Sequence, residues 1–269
     1  MNKKVISSVL AGAIALSTLG VSAFAATADK TIKTAGATTY KVTGTLAAPE
    51  INVTLPSAVA AVVNPYGVSF EMKGQTYGAQ GVTSPLYTIK NNTTASAVSV
   101  VATATIAVPT TTDSDKNKIP TIKVTANEAD IATENAKTTG AVKTIYAVVK
   151  GAAPTAAVEV GKEKDLILFP TGEQEAQAGA VEVPFTDVTL STKDAPITGT
   201  PTTLMIIPKA TAEVKDNDGN VTKAAKVGYG QFQMGGSVTD QKKTAWTSSD
   251  KLTINLVLDI GPSVDPVTD

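Results

Sequence analysis

The sequence predicts an all-β protein, a sandwich of mainly antiparallel strands with at most one short helix. Three observations carry this. Lys251–Ile260 reads KLTINLVLDI, with Leu252, Ile254, Leu256, Leu258 and Ile260 on one side. Four of the five residues between them are polar, the period of two that places alternate side chains on opposite faces of a strand. Ala95–Val108 repeats the pattern, with Val98, Val100, Ala102, Ala104, Ile106 and Val108 sharing a face. Finally, Thr, Val and Ala dominate the composition, and β-branched Thr and Val fit a pleated, half-buried surface.

Taken in order, residues 1–25 read as a secretory signal peptide. Lys3 and Lys4 give a basic start, Val5–Leu19 is apolar, and Ala23-Phe24-Ala25 is a small-residue cleavage site. The mature chain is then expected to be secreted and to carry no membrane segment. Residues 26–48 form a Thr-, Ala- and Lys-rich leader ending in one alternating stretch, Tyr40–Leu46.

The β-sandwich domain is assigned to residues 49–260. Ile51–Leu55, Val59–Val63 and Val68–Met72 are short strands, punctuated by Pro56, by the turn Asn64-Pro65-Tyr66-Gly67 and by Lys73-Gly74. Leu86–Lys90 precedes a polar turn at Asn91–Thr94. After Pro109, Thr110–Lys118 reads as a polar link, and Ile119–Thr125 resumes β patterning. Asn127–Lys137 is the one candidate helix, with Asn127 as its cap. Val142–Val149, Asp165–Phe169, Val181–Leu190 and Thr202–Ile207 return to strand. Ala210–Lys215 and Val221–Lys226 flank Asp216-Asn217-Asp218-Gly219-Asn220, a hairpin signal through its Asp-Gly. Tyr229–Met234 and a link over Gly235–Asp250 lead into the closing strand, and 261–269 reads as an acidic tail. The stretch 110–180 is looser and more charged than its flanks, and reads as an insertion or a subdomain.

The absences bound function. The chain contains no Cys, no His and no Arg; every basic residue is Lys. Without His the commonest general base and transition-metal ligand are missing. Without Cys there is neither a thiolate nor a disulfide. Without Arg there is no bidentate grip on phosphate or carboxylate. Removing the signal peptide takes the net charge from −1 to −3, which favours neither nucleic acid nor an anionic membrane.

Asp216–Asn220 resembles a calcium loop, but Val214 and Ala225 stand where an EF-hand needs oxygen ligands. The chain has no G-x-S-x-G elbow, and its acidic pairs Asp113/Asp115 and Glu173/Glu175 lie in polar links. Pro170-Thr171-Gly172 echoes a sorting signal but sits mid-chain. A Lys41–Asn255 isopeptide bond is opposed by the register, which sends Asn255 to solvent. The sequence therefore predicts no catalytic, cofactor-binding or metal residues and no enzyme.

Several features together resemble secreted surface proteins of Gram-positive bacteria, a group that includes WxL-type wall-binding proteins and β-sandwich fibre or pilus-like subunits. They are the signal peptide, the lack of Cys, Trp246 and Asp250-Lys251-Leu252 leading into the last strand, and Ile51–Val63 followed by Asn64-Pro65-Tyr66-Gly67 and a strand ending at Asn91-Asn92. A WxL signature places Leu two residues after Trp, where this chain has Ser248. The resemblance implies no particular site residues. It fits a cell-surface structural protein that self-associates into a fibre, layer or matrix, with strand complementation through the N-terminal segment. The alternative is a monomeric extracellular module that binds cell-wall polymer or a host ligand.

Overall fold

The computed structural model describes residues 51–72, 74–163, 166, 168–169, 180–192, 196–247 and 250–263. The expectations for the signal peptide, for Tyr40–Leu46, for Pro170–Gly172 and for 264–269 lie outside these residues. The chain is β-rich and mainly antiparallel, with parallel pairs between 123–125 and 144–146 and between 186–187 and 105–106, and it builds two main sheets with one shared core.

The first sheet is ordered β1 (Val53–Thr54), β6 (Tyr87–Asn91), β18 (Lys226–Val238), β11 (Thr144–Ala152) and β10 (Lys123–Thr125). Four strands join it off this path: β2 (Val62–Asn64), β5 (Gly81–Thr83), β12 (Val158–Glu159) and β13 (Val181–Pro184). The second sheet centres on β7 (Ala97–Ala107), flanked by β15 (Thr202–Ile207), β14 (Thr186–Asp187) and β19 (Thr253–Ser263).

Apolar side chains from both sheets meet between them, including Ile89, Ile145, Val149 and Phe232 from the first and Val98, Val100, Ile106, Leu204 and Leu258 from the second. The apolar row of β7 is buried throughout, as its alternation predicts. In β19 the centre of the apolar row is buried at Leu256, Leu258 and Ile260, while Leu252 and Ile254 are half-buried. Asn255 is exposed, so the isopeptide geometry with Lys41 finds no inward-facing partner there.

The sheets approach closely where glycine removes a side chain. A Cβ on Gly151 would stand 2.3 Å from Leu204 Cγ, and one on Gly230 would stand 2.5 Å from Met205 Sδ. The large residues of β15 thus fill hollows that β11 and β18 leave open. The outer face of the first sheet is covered in part by Leu168 and Phe169, which cluster with Ala152. Gln231 ties that cover down: its side-chain oxygen accepts the Leu168 N–H at 2.8 Å, and its amide donates to the Leu166 carbonyl at 3.2 Å.

Several elements differ from the sequence expectation. Leu166, Leu168 and Phe169 lie outside any strand, because they pack over the sheet rather than joining its ladder. Thr110–Lys118 is not a plain link: β8 (Thr110–Thr112) and β9 (Lys118–Pro120) form a hairpin. The 110–180 stretch contributes β10 and β11 to the first sheet, and β11 pairs with β18 over eight residues, so it is part of that sheet's interior. Gly235–Asp250 is strand as far as Val238, because Gly235 and Gly236 still pair on both sides, with Val148 and Ala147 and with Thr83 and Val82. A one-turn helix α2 (Gln241–Thr244) then follows, capped by Asp240 accepting the Lys242 N–H. It is a second helix beside α1 (Ala129–Ala136), where Asn127 Oδ1 accepts the Ala129 N–H at 3.1 Å. The closing strand runs past Ile260 to Ser263, because residues 261–263 keep register with Ser99, Val98 and Ala97 of β7, in that order.

The two lateral sides of the sandwich are closed differently. On one side the chain crosses between sheets. β13 pairs with β11, the Phe185 N–H donates to the Ala147 carbonyl at 2.9 Å, and β14 then pairs with β7. On the other side lie β1 and β2 at the edge of the first sheet and β19 at the edge of the second.

Candidate functional site

Among the described residues, this second lateral side is built from two edge strands. Residues 51–64 behave as one interrupted strand against 81–91: Val53 pairs with Asn91, Val62 with Thr83 and Val63 with Val82. Pro56 has no N–H to give to a ladder, and the chain bows out between β1 and β2. The Tyr87 hydroxyl holds the bow, accepting the Ala60 N–H at 2.6 Å and donating to its carbonyl at 3.0 Å.

β19 faces this strand from the other sheet. One edge of β19 pairs with β7 along its whole length; among the described residues no strand pairs with the other edge. Pro262 fits that position, because an edge strand tolerates a missing donor. The two edge strands run in opposite directions along the same stretch of sandwich. At one end Val53 pairs with Asn91, whose amide donates to the Ser96 carbonyl, next to Ala97 opposite Ser263. At the other end Val63 and Ile254 line one cleft.

That cleft has a volume of about 310 Å³. It is lined by Ala61, Val63, Pro65 and Tyr66 from β2 and its neighbours in the chain, and by Trp246, Thr247, Asp250, Leu252 and Ile254 from the start of β19 and the approach to it. The site is held by named contacts. The Tyr66 hydroxyl donates to the Trp246 carbonyl at 2.9 Å, and the Trp246 indole N–H donates to the Thr239 carbonyl at 2.9 Å. Lys143 Nζ donates to both Asp250 oxygens, at 3.0 and 2.8 Å, and Asp250 also accepts from the Thr247 N–H at 2.6 Å. Burial works to raise the Asp250 pKa, but the Lys143 ammonium and the Thr247 N–H and hydroxyl together hold it below the ordinary carboxylate value. This carboxylate is therefore a charged structural tie between the sheets, with its oxygens already engaged.

No protein-family model, characterised protein or solved structure matches the chain. The functional reading rests on geometry alone.

The other acidic groups singled out from the sequence are also engaged. In the β16 (Val214–Lys215) to β17 (Val221–Lys223) hairpin, Asp216 Oδ1 accepts the Asp218 and Asn220 N–H groups at 3.0 and 2.8 Å. Its Oδ2 accepts the Asn220 side-chain amide at 3.2 Å. The Asn220 N–H is the foremost cause of its lowered pKa. Asp113 repeats the arrangement in the β8–β9 turn, accepting the Asp115 and Asn117 N–H groups at 2.9 and 2.7 Å and the Asn117 amide at 3.1 Å. The two turns share the spacing D-x-D-x-N, with Gly219 and Lys116 at positive φ. Asp115 thus belongs to a turn, and Glu173 and Glu175 lie outside the described residues. Among the described residues no three acidic side chains gather as a metal site would need, and no helix is long and apolar enough to cross a membrane.

What the sequence could not show was the cleft. Ala61 lies far along the chain from Trp246 and Ile254, and no motif links them. The one available signal was the length and alternation of the closing strand, which demand a partner on each edge.

Proposed function

We propose that this is a secreted cell-surface structural protein that self-associates into an extracellular fibre, layer or matrix. The observation that carries the reading is β19: eleven residues long, paired by a strand along one edge only among the described residues, with a cleft lined by apolar and polar side chains beside it. An edge of this length is a template for another strand unless something covers it. The chemistry of the chain supports the same reading, since it lacks His, Cys and Arg and its well-placed carboxylates serve turns and sheet ties. Export through the signal peptide would place the protein where such assemblies form.

The test compares residues 26–269 with a chain lacking 26–46 by light scattering and electron microscopy across protein concentration, salt and pH. The reading expects concentration-dependent growth by the longer chain and little by the shorter. A longer chain that stays monomeric throughout overturns it.

The cleft itself favours a second reading, a monomeric module that binds a cell-wall polymer or a host ligand. Its volume of about 310 Å³ and the mix of apolar and polar side chains around the Tyr66–Trp246 contact leave room for a small ligand group. Monomeric behaviour together with retention on purified cell wall would favour that reading.

A further inference from the structure

We infer that the edge of β19 along Thr253–Gly261, which no strand among the described residues pairs, and the cleft beside it form an acceptor groove for Tyr40–Leu46 of a second copy of this chain, laid antiparallel to β19; this deepens the self-association reading and rests on it. Tyr40–Leu46 alternates as a strand should, with Tyr40, Val42, Gly44 and Leu46 on one side and Lys41, Thr43 and Thr45 on the other. The groove offers what such a strand lacks. Backbone groups along Thr253–Gly261 supply ladder partners, and the half-buried Ala61, Val63, Leu252 and Ile254 supply an apolar floor. Strand addition works this way: the backbone ladder gives affinity and alternate side chains fill pockets.

Direction distinguishes a second copy from the chain's own segment. Four residues, Ala47–Glu50, separate Leu46 from Ile51, and Ile51 packs on the core close to the Ser263 end of the seam. A chain doubling back over that link would bring its own segment alongside β19 in the same direction. That gives a parallel pair, the less stable kind, with Lys41 toward Lys251. A segment from a second copy has no such tether and can run antiparallel, as both long neighbours of β7 do. Lys41 then lies toward Asp259, opposite in charge, and Leu46 lies toward the cleft at Leu252 and Ile254.

Cysteine-free background makes the test clean. Thr43→Cys is made in one chain, and Val257→Cys, which this placement sets opposite Thr43, or its flanking Asn255→Cys or Asp259→Cys in another. Asn255 and Asp259 are exposed and Val257 is half-buried, and circular dichroism checks that each variant folds. The two chains are mixed and oxidised. Pairing across a ladder holds the thiols at high effective concentration. The mixed disulfide should therefore exceed that of a control mix, Thr43→Cys with Thr222→Cys, by about tenfold or more. Assembly without the mixed disulfide overturns this site and leaves the self-association reading standing. Absence of both assembly and disulfide overturns the two together. An internal disulfide in the double variant Thr43→Cys/Asn255→Cys, formed below the concentration of assembly, shows the segment in its own chain and overturns the second-copy assignment.

Discussion

Lys143 Nζ stands 2.8 Å from Asp250 Oδ2, joining the start of β11 in one sheet to the approach to β19 in the other. The Asp250 side chain is 8% exposed, so solvent does little to screen the pair. A carboxylate whose folded pKa is lowered stabilises the fold above its unfolded pKa, and that contribution is lost as pH falls through the folded value. Asp250→Asn should therefore cost about 1–3 kcal/mol at neutral pH, and the gap to wild type should shrink in acid below the ordinary carboxylate range. Melting curves of both proteins across pH check this. A gap of constant size at every pH would show that the charge of Asp250 contributes nothing.

Leu256 and Asn255 are neighbours on β19 with opposite fates, one buried in the core and the other exposed. Leu256→Asp places an unpaired charge in the shared core and should cost several kcal/mol, enough to abolish folding. Asn255→Asp should change stability by less than about 1 kcal/mol. Yield and thermal melting of the two variants read the difference, and equal behaviour would refute the register of β19.

Gly228 admits no side chain. A Cβ there would lie 1.9 Å from the Pro208 carbonyl oxygen and 2.9 Å from Asn91 Cβ, so Gly228→Ala forces the backbone of two segments apart. The expected loss exceeds about 3 kcal/mol. Gly261 has open space around its Cβ position, and Gly261→Ala should fall within about 1 kcal/mol of wild type. Denaturant melts of the pair give both numbers.

Calcium and a chelator should leave the melting temperature unmoved. The Asp216 oxygens already accept three hydrogen bonds within their own turn, and Asp113 is engaged in the same way. A chelator-induced drop of several degrees would show that a cation displaces those bonds.

The D-x-D-x-N turns show how far the sequence could be read. Asp216–Asn220 was legible because Gly219 announces a positive φ. Asp113–Asn117 carries the same spacing and the same hydrogen bonds, yet its left-handed position is held by Lys116, with φ of 66°, and the hairpin was hidden as a polar link. β18 was cut short for a related reason. Gly235 and Gly236 look like a break, but the structure uses them where backbone approaches closely: a Cβ on Gly236 would meet the Tyr146 carbonyl oxygen at 2.0 Å. Leu168 and Phe169 have strand composition, and only their packing over Ala152 shows that they cover a sheet instead.

By itself the sequence determined the class of fold, the faces of β7 and β19, and the absence of His, Cys and Arg chemistry. Those properties are local: a period of two fixes which side of a strand is apolar, and composition fixes which reactive groups exist. Tertiary structure alone decided the sheet order, the central position of β11 and β18, and the contrast between the two lateral sides. Alternation says that a strand has a buried face and says nothing of which strand lies at its edge. The crossing from β13 to β14 closes one side, whereas β2 and β19 flank a cleft on the other, because pairing between distant segments sets which hydrogen-bonding edges are taken.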